Sequence, residues 1–250
     1  MSDAILQARG LTKTFAGFTA VENVDLDVVR GSIHALIGPN GAGKTTVFNL
    51  LTRFITPTAG SIVYDGTDIT RAKPTAIARQ GMVRSFQISA IFGHLSVLDN
   101  VRVALQRHQG KAYHFWRSEK MLDSLTDRAM ALLDEVGLAE FADTLGVELA
   151  YGRKRALEIA TTLALDPRLM LLDEPTQGMS AEDVGKVTEL IRQVAADRTI
   201  LMVEHNLQVV SRLADTITVL NRGEILAEGP YETVSRDPAV MEAYMGTADA

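Results

Sequence analysis

The sequence predicts an α/β fold in which a mostly parallel sheet carries an N-terminal antiparallel β-subdomain and an inserted helical subdomain. Three features point there. Short apolar runs at Ile33 to Ile37, Leu169 to Leu172, Ile200 to Val203 and Ile217 to Leu220 lack polar alternation, the pattern of strands covered on both faces of a parallel sheet. After Pro167 such runs alternate with helical stretches near Ala181 to Ala196 and Leu207 to Ala214, the order that joins parallel strands. From about Ser96 to Leu165 the strand pattern gives way to apolar residues at helical spacing.

Taken in order, Ile5 to Leu11 and Val24 to Val29 show near-alternating apolar positions flanked by glycine or charged residues, as in strands of a partly exposed sheet. Ser61 to Tyr64 reads as a further strand between the turns Pro57-Thr58-Ala59-Gly60 and Asp65-Gly66. In the helical stretch Val97, Val101 and Leu105 mark one face, and Leu122, Leu125, Ala129, Leu132, Leu133 and Val136 another. Asn221-Arg222-Gly223-Glu224 predicts a hairpin, followed by short helices to the end.

The 250 residues suffice for one large core or two small lobes, and 46% of them are hydrophobic. No apolar run approaches the ~20 residues of a membrane span, and the start Met1 to Gln7 lacks a secretory signal, so a cytoplasmic protein is expected. The absence of cysteine excludes disulfides and thiolate metal sites. His34, His94, His108, His114 and His205 show no H-E-x-x-H spacing, so no zinc site is expected. A net charge of −6 argues against nucleic acid as the partner.

The stretch Gly38-Pro39-Asn40-Gly41-Ala42-Gly43-Lys44-Thr45-Thr46 follows an apolar strand and opens a helix, the context that makes G-x-x-x-x-G-K-[ST] a phosphate cradle. Glycines let backbone N–H groups converge on phosphate oxygens at the positive end of a helix dipole. Lys44 would reach the terminal phosphates and the Thr45 hydroxyl would ligate Mg²⁺. Asp173 and Glu174 follow the run Leu169 to Leu172, at the sheet edge where α/β folds bind ligands. Asp173 would join the Mg²⁺ shell and Glu174 would polarise the water that attacks the γ-phosphate. A solvated charge pair is the alternative, which a phosphate loop in the same chain disfavours. His205 ends another apolar strand, placed to donate to the γ-phosphate and orient water. Gln87 could sense Mg²⁺ and the attacking water.

Phosphate loop, Gln87, helical stretch, the segment Leu149 to Arg155, Asp173-Glu174 and His205 occur in an order that resembles the ATP-binding subunits of ABC transporters over nearly the whole chain. Arg84-Ser85-Phe86-Gln87, Leu149-Ala150-Tyr151-Gly152-Arg153-Lys154-Arg155 with Leu157-Glu158-Ile159-Ala160, and Glu242-Ala243-Tyr244-Met245-Gly246 are similar to the ATPases of branched-chain, or hydrophobic, amino-acid importers. The resemblance implies a single domain: a P-loop NTPase, RecA-like core with its antiparallel β-subdomain over 1–95 and 166–250, and a helical subdomain over about 96–165. It implies ATP and Mg²⁺ as cofactors, two transmembrane permease subunits, a second ATPase subunit, an extracytoplasmic substrate-binding protein and a place on the inner face of the cell membrane. Catalytic roles fall to Glu174, His205, Gln87 and Lys44, and metal contacts to Thr45, Gln87 and Asp173. Adenine would stack on Phe15, with Phe18 the competitor. Ile88, Ala90, Ile91 and Phe92 would form either an apolar docking surface for the permease or internal packing. The aromatic stretch Ala112 to Trp116 would be core of the helical subdomain. Other transporters (urea or amide import, lipopolysaccharide export) and a non-transport mechanical ATPase are the alternatives.

The signature segment, expected to face the nucleotide of the partner subunit, departs from the family pattern. Ala150 stands where a serine is usual, Tyr151 where the first glycine is, and Arg153 where a glutamine is; Gly152 is kept. Lys154 and Arg155 are expected on a solvated basic face. Ser180 stands where an aspartate usually faces the partner. These departures predict a non-identical ATPase partner with two unlike composite sites, a homodimer being the alternative.

Overall fold

The computed structural model describes residues 3–85, 91–106 and 125–245. Gln87, Ile88, Ala90, His108, His114, Leu122 and the stretch Ala112 to Trp116 lie outside the described residues.

In chain order the elements are β1 (Ala4–Phe15), β2 (Phe18–Val29), β3 (Ile33–Ile37), α1 (Lys44–Leu51), β4 (Ala59–Tyr64), β5 (Thr67–Asp68), α2 (Pro74–Arg79), β6 (Met82–Arg84) and α3 (Val97–Leu105). They continue with α4 (Thr126–Glu135), α5 (Tyr151–Leu163), β7 (Leu169–Asp173), α6 (Ala181–Ala195), β8 (Thr199–Val203), α7 (Leu207–Leu213), β9 (Thr216–Asn221), β10 (Glu224–Gly229), α8 (Tyr231–Val234) and α9 (Pro238–Met245). Two sheets result. A four-stranded antiparallel sheet runs β2-β1-β4-β5, and a six-stranded sheet runs β10-β9-β3-β8-β7-β6. The second sheet is parallel from β9 to β6, and only the β9–β10 hairpin is antiparallel. Every residue of β3, β7 and β8 is buried, which explains why these strands are apolar without alternation.

The chain divides into two compact units: residues 1–84, 168–175 and 191–250, and residues 85–167 and 176–190. The first holds both sheets, and its core gathers Leu6, Leu11 and Leu26 of the antiparallel sheet with Phe48 of α1 and Leu171 and Leu201 of the parallel one. The second is helical. Val97, Val101 and Leu105 are buried along α3, and Ala129, Leu132 and Leu133 along α4. The Ser96 hydroxyl caps α3 by accepting from the Asp99 amide at 3.0 Å. Segment 176–190, read from the sequence with the strand-and-helix part, falls in the helical unit.

Candidate active site

Backbone sterics make the phosphate loop. Gly38 has φ 150°, and a Cβ there would lie 2.2 Å from the Leu220 carbonyl oxygen. Gly43 (φ 102°) precedes α1 in the left-handed region, and a Cβ there would lie 2.8 Å from the Ala20 carbonyl oxygen. Side chains are excluded at both positions by backbone, which cannot yield as a flexible side chain does. The β9–β10 turn backs the loop: the Gly223 amide donates to the Ala42 carbonyl at 3.0 Å, and the Glu22 amide of β2 donates to the Gly223 carbonyl at 2.9 Å. On another side Pro39, Asn40, Gly41 and Ala42 line a cavity of about 500 Å³ with Ala239, Glu242 and Ala243 of α9. The Tyr244 phenol is pushed up to about 12 by burial and lies against the Gly38 backbone. Sequence reasoning missed this backing, because no local pattern marks a carbonyl that will meet a glycine from far along the chain.

Lys44 is buried, and its ammonium donates to the carbonyls of Gly38 at 2.6 Å and Pro39 at 3.0 Å. Burial holds it below the ordinary lysine range, against the pull of the Glu174 and Asp173 carboxylates. Those three groups are therefore neighbours. Thr45 is exposed on the first turn of α1. Asp173, the last residue of β7, is 2% exposed, and its Oδ2 accepts from Arg84 Nη2 at 2.5 Å. Glu174 follows with φ 47°, a left-handed conformation that costs a non-glycine residue about 1–3 kcal/mol and gathers at functional sites. Its amide donates to the Val203 carbonyl at 2.9 Å, fixing the turn at the end of β8.

His205 leaves β8 with its side chain 55% exposed. The buried Glu204 carboxylate, whose identity the sequence reading passed over, shapes that exit by accepting from the amides of His205 at 2.8 Å and Asn206 at 3.0 Å. Asn206 then caps α7 through the amides of Gln208 and Val209. Phe15 and Phe18 face each other across the β1–β2 hairpin, 44% and 70% exposed. Neither is core, and the Lys13 ammonium lies 4.9 Å from the Phe15 ring centroid.

In the helical unit Ala150 precedes α5 without a side-chain cap. Tyr151 is 52% exposed and its hydroxyl donates to the Gln177 carbonyl at 3.2 Å. A Cβ on Gly152 would meet the Asp183 Oδ1 at 2.9 Å, so α5 and α6 approach closely there. Ser180 occupies the capping position of α6: its hydroxyl accepts from the Asp183 amide at 3.2 Å and donates to the Asp183 carboxylate at 2.9 Å. Arg153 is exposed and its guanidinium lies 4.1 Å from the Phe141 ring centroid. The expectation of a solvated face fails for Arg155, which is 8% exposed and donates to Glu158 at 2.5 Å inside the unit. A charged residue one position past Lys154 turns onto the buried side of a helix, where its ion pair with Glu158 helps to make that tolerable.

The family model described as ABC transporter matches residues 21–177. The chain belongs to the ABC transporter ATP-binding family. A second model, described as branched-chain amino acid ATP-binding cassette transporter, matches residues 224–250. The chain is 40% identical to the high-affinity branched-chain amino acid transport ATP-binding protein BraF of Pseudomonas aeruginosa, covering 99% of this chain and 100% of that protein. It is 38% identical to LivG of Escherichia coli, another such protein, over the same shares. Among solved structures, the ADP conformation of MJ1267, an ATP-binding cassette of an ABC transporter, superposes with a TM-score of 0.86 at 29% identity over 97% of this chain and 99% of that one. This cassette is thus a nucleotide-binding ATPase with the P-loop NTPase fold. Among its described residues no helix is long and apolar enough to cross a membrane.

Proposed function

We propose that this cassette hydrolyses ATP to drive an importer of branched-chain or related hydrophobic amino acids, at the inner face of the cell membrane, through two transmembrane permease subunits and with an extracytoplasmic binding protein. The phosphate loop carries the ATPase reading: Lys44 is anchored on its Gly38 and Pro39 carbonyls, and the Asp173 and Glu174 carboxylates act on that ammonium. The full-length likeness to BraF and LivG supports the substrate class. Purification together with the permease subunits, followed by uptake of leucine, isoleucine and valine in vesicles, tests it. Uptake of urea or another amide instead would assign the cassette to a different importer.

In this reading each site residue has a role. Amides of the loop from Gly38 to Thr46 and the Lys44 ammonium bind the phosphates, and an exposed ring of the β1–β2 hairpin, Phe15, stacks on adenine. Thr45 and Asp173 offer hydroxyl and carboxylate oxygens, the donors that suit Mg²⁺. No group of three His, Cys, Asp or Glu side chains that could hold a metal ion occurs among the described residues. That ion would neutralise charge on the phosphates, and Gln87 completes its surroundings in this assignment. Glu174 takes up the proton of the attacking water, and the His205 ring donates to the γ-phosphate. Phosphoryl transfer to water asks for such positioning and little covalent chemistry.

The segment from Ala150 to Arg153 presents the start of α5 to the nucleotide of a second ATPase chain. Two chains of the cassette MJ0796 form a dimer in the state bound to ADP and Pi, and this chain superposes on that one with a TM-score of 0.75 at 25% identity. The segment lacks the hydroxyl donor usual at position 150, and Ser180 stands where an aspartate usually faces the partner, so the second chain is a non-identical ATPase that brings the serine-containing segment. Cooperative hydrolysis at transporter-level rates by this chain alone would rule out that pairing.

A further inference from the structure

One side chain ties Asp173, assigned to the Mg²⁺ side of the site, to the helix that carries Thr45, and neither the motifs nor the family match gives it a role. Arg84 ends β6 and reaches along β7, which is its parallel neighbour with Arg84 opposite Leu171. Its Nη2 donates to Asp173 Oδ2 at 2.5 Å, and its Nη1 donates to Asn49 Oδ1 at 2.6 Å. Asn49 lies on α1 four residues after Thr45, so the two share a helix face. The guanidinium is held on its own flank by the rings of Phe48, 5.6 Å away, and Phe54, 5.9 Å away. The pair is buried, with side-chain exposures of 11% for Arg84 and 3% for Asp173.

We propose that Arg84 is a positioning residue that fixes the Asp173 carboxylate relative to Thr45, and so sets the spacing of the two oxygen donors on which the Mg²⁺ complex of the nucleotide depends. The proposal rests on the site reading above. A buried ion pair adds little net stability, since desolvation offsets most of the attraction, whereas it does fix geometry. The planar fork of an arginine can hold a carboxylate and an amide oxygen in two set directions at once. A lysine would offer a point charge that serves either partner in many orientations. Because one arm ends on α1 and the other on β7, rotation of the phosphate-loop helix relative to the strand that carries Asp173 must break one of two short hydrogen bonds. The positive charge also offsets Asp173 before the cation arrives, so the carboxylate is aligned without drawing Lys44 away from the phosphates.

The test measures binding of a fluorescent ATP analogue to the full chain in a Glu174→Gln background, with Mg²⁺ and with chelator. Placing residues of a metal site typically carry about ten- to hundredfold in affinity. Arg84→Gln is expected to reduce the gain in nucleotide affinity that Mg²⁺ brings by that factor and to leave metal-free affinity unchanged. Asn49→Ala should move the same ratio less. Equal losses with and without Mg²⁺ would mean that Arg84 only supports the fold, and would overturn the proposal. If Arg84→Gln does not fold, an unaltered ratio in Asn49→Ala overturns it as well. Asp173→Asn separates the two layers of the inference. If it leaves the Mg²⁺-dependent gain intact, the reading of the site fails; if it abolishes the gain while Arg84→Gln does not, only the positioning role fails.

Discussion

The phosphate loop and the signature segment are built on opposite principles. At the loop the chemistry resides in the backbone: glycines at 38 and 43 face carbonyl oxygens of Leu220 and Ala20 with no room for a Cβ. At the start of α5 the side chains are on the outside, with Tyr151 52% exposed and Arg153 spread over a phenylalanine ring. A site made of backbone is intolerant and therefore readable. A site made of exposed side chains can be rewritten, and each residue there must be judged by the contacts it makes. Ser180 illustrates this. By charge it is a missing aspartate, whereas in the fold it is the cap of α6, locked to Asp183.

Gly38→Ala should produce the largest effect if that contrast is right. Overpacking costs about 1–3 kcal/mol, and the displaced loop should no longer bind ATP; titration and a thermal melt of the variant measure both. Wild-type affinity in that variant would break the comparison. Next, Glu174→Gln would remove the proton acceptor proposed above, of a kind worth about 10²–10⁴ in rate, so ATP should be retained on the chain with hydrolysis lost at unchanged affinity. A single-turnover assay reads this.

A pH scan of stability distinguishes the two regions further. His34, in the strand that feeds the loop, bonds through Nε2 to Thr218 at 2.7 Å, and burial lowers its pKa from 6.5 to about 4. The folded chain takes up that proton later than the unfolded chain does. Stability is therefore full above pH 6.5 and declines as pH falls toward about 4, by about 3 kcal/mol in all. Denaturant titrations across that window should show the slope, and His34→Gln should flatten it. Smallest of all, Ser180→Ala should cost about 1 kcal/mol through loss of the cap, and Ser180→Asp, which also caps, should restore most of it in equilibrium unfolding.

Much of the first region was legible in the sequence. Runs such as Leu169 to Leu172 announced buried parallel strands because a doubly covered strand has no polar face to show, and Asp173, Glu174 and His205 stand at strand exits as expected. Less legible were groups whose partners lie far along the chain. Arg84 finds Asn49 at a separation of 35 residues and Asp173 at 89, and its own segment was marked only by its family resemblance. Arg155 looked, like Lys154, to be a surface cation, because a run of charges on a helix does not reveal which of them faces Glu158 inside the unit. The turn that backs the loop was recognised as a hairpin, but its job depends on Gly223 meeting Ala42 across the fold.

That last contact also has a consequence in time. The cradle begins at Gly38, but the hydrogen bond from Gly223 to Ala42 and the carbonyl of Leu220 that shapes Gly38 are contributed by residues about 180 positions later. At about 5–20 residues per second, ribosomal synthesis takes about 10–40 s to cover that distance. Until then a nascent chain carries the glycine-rich sequence without the wall behind it, so the cradle takes its folded form only after the C-terminal part of the parallel sheet has been made. A translational pause upstream of Leu220 would prolong the interval in which the loop stands without that wall.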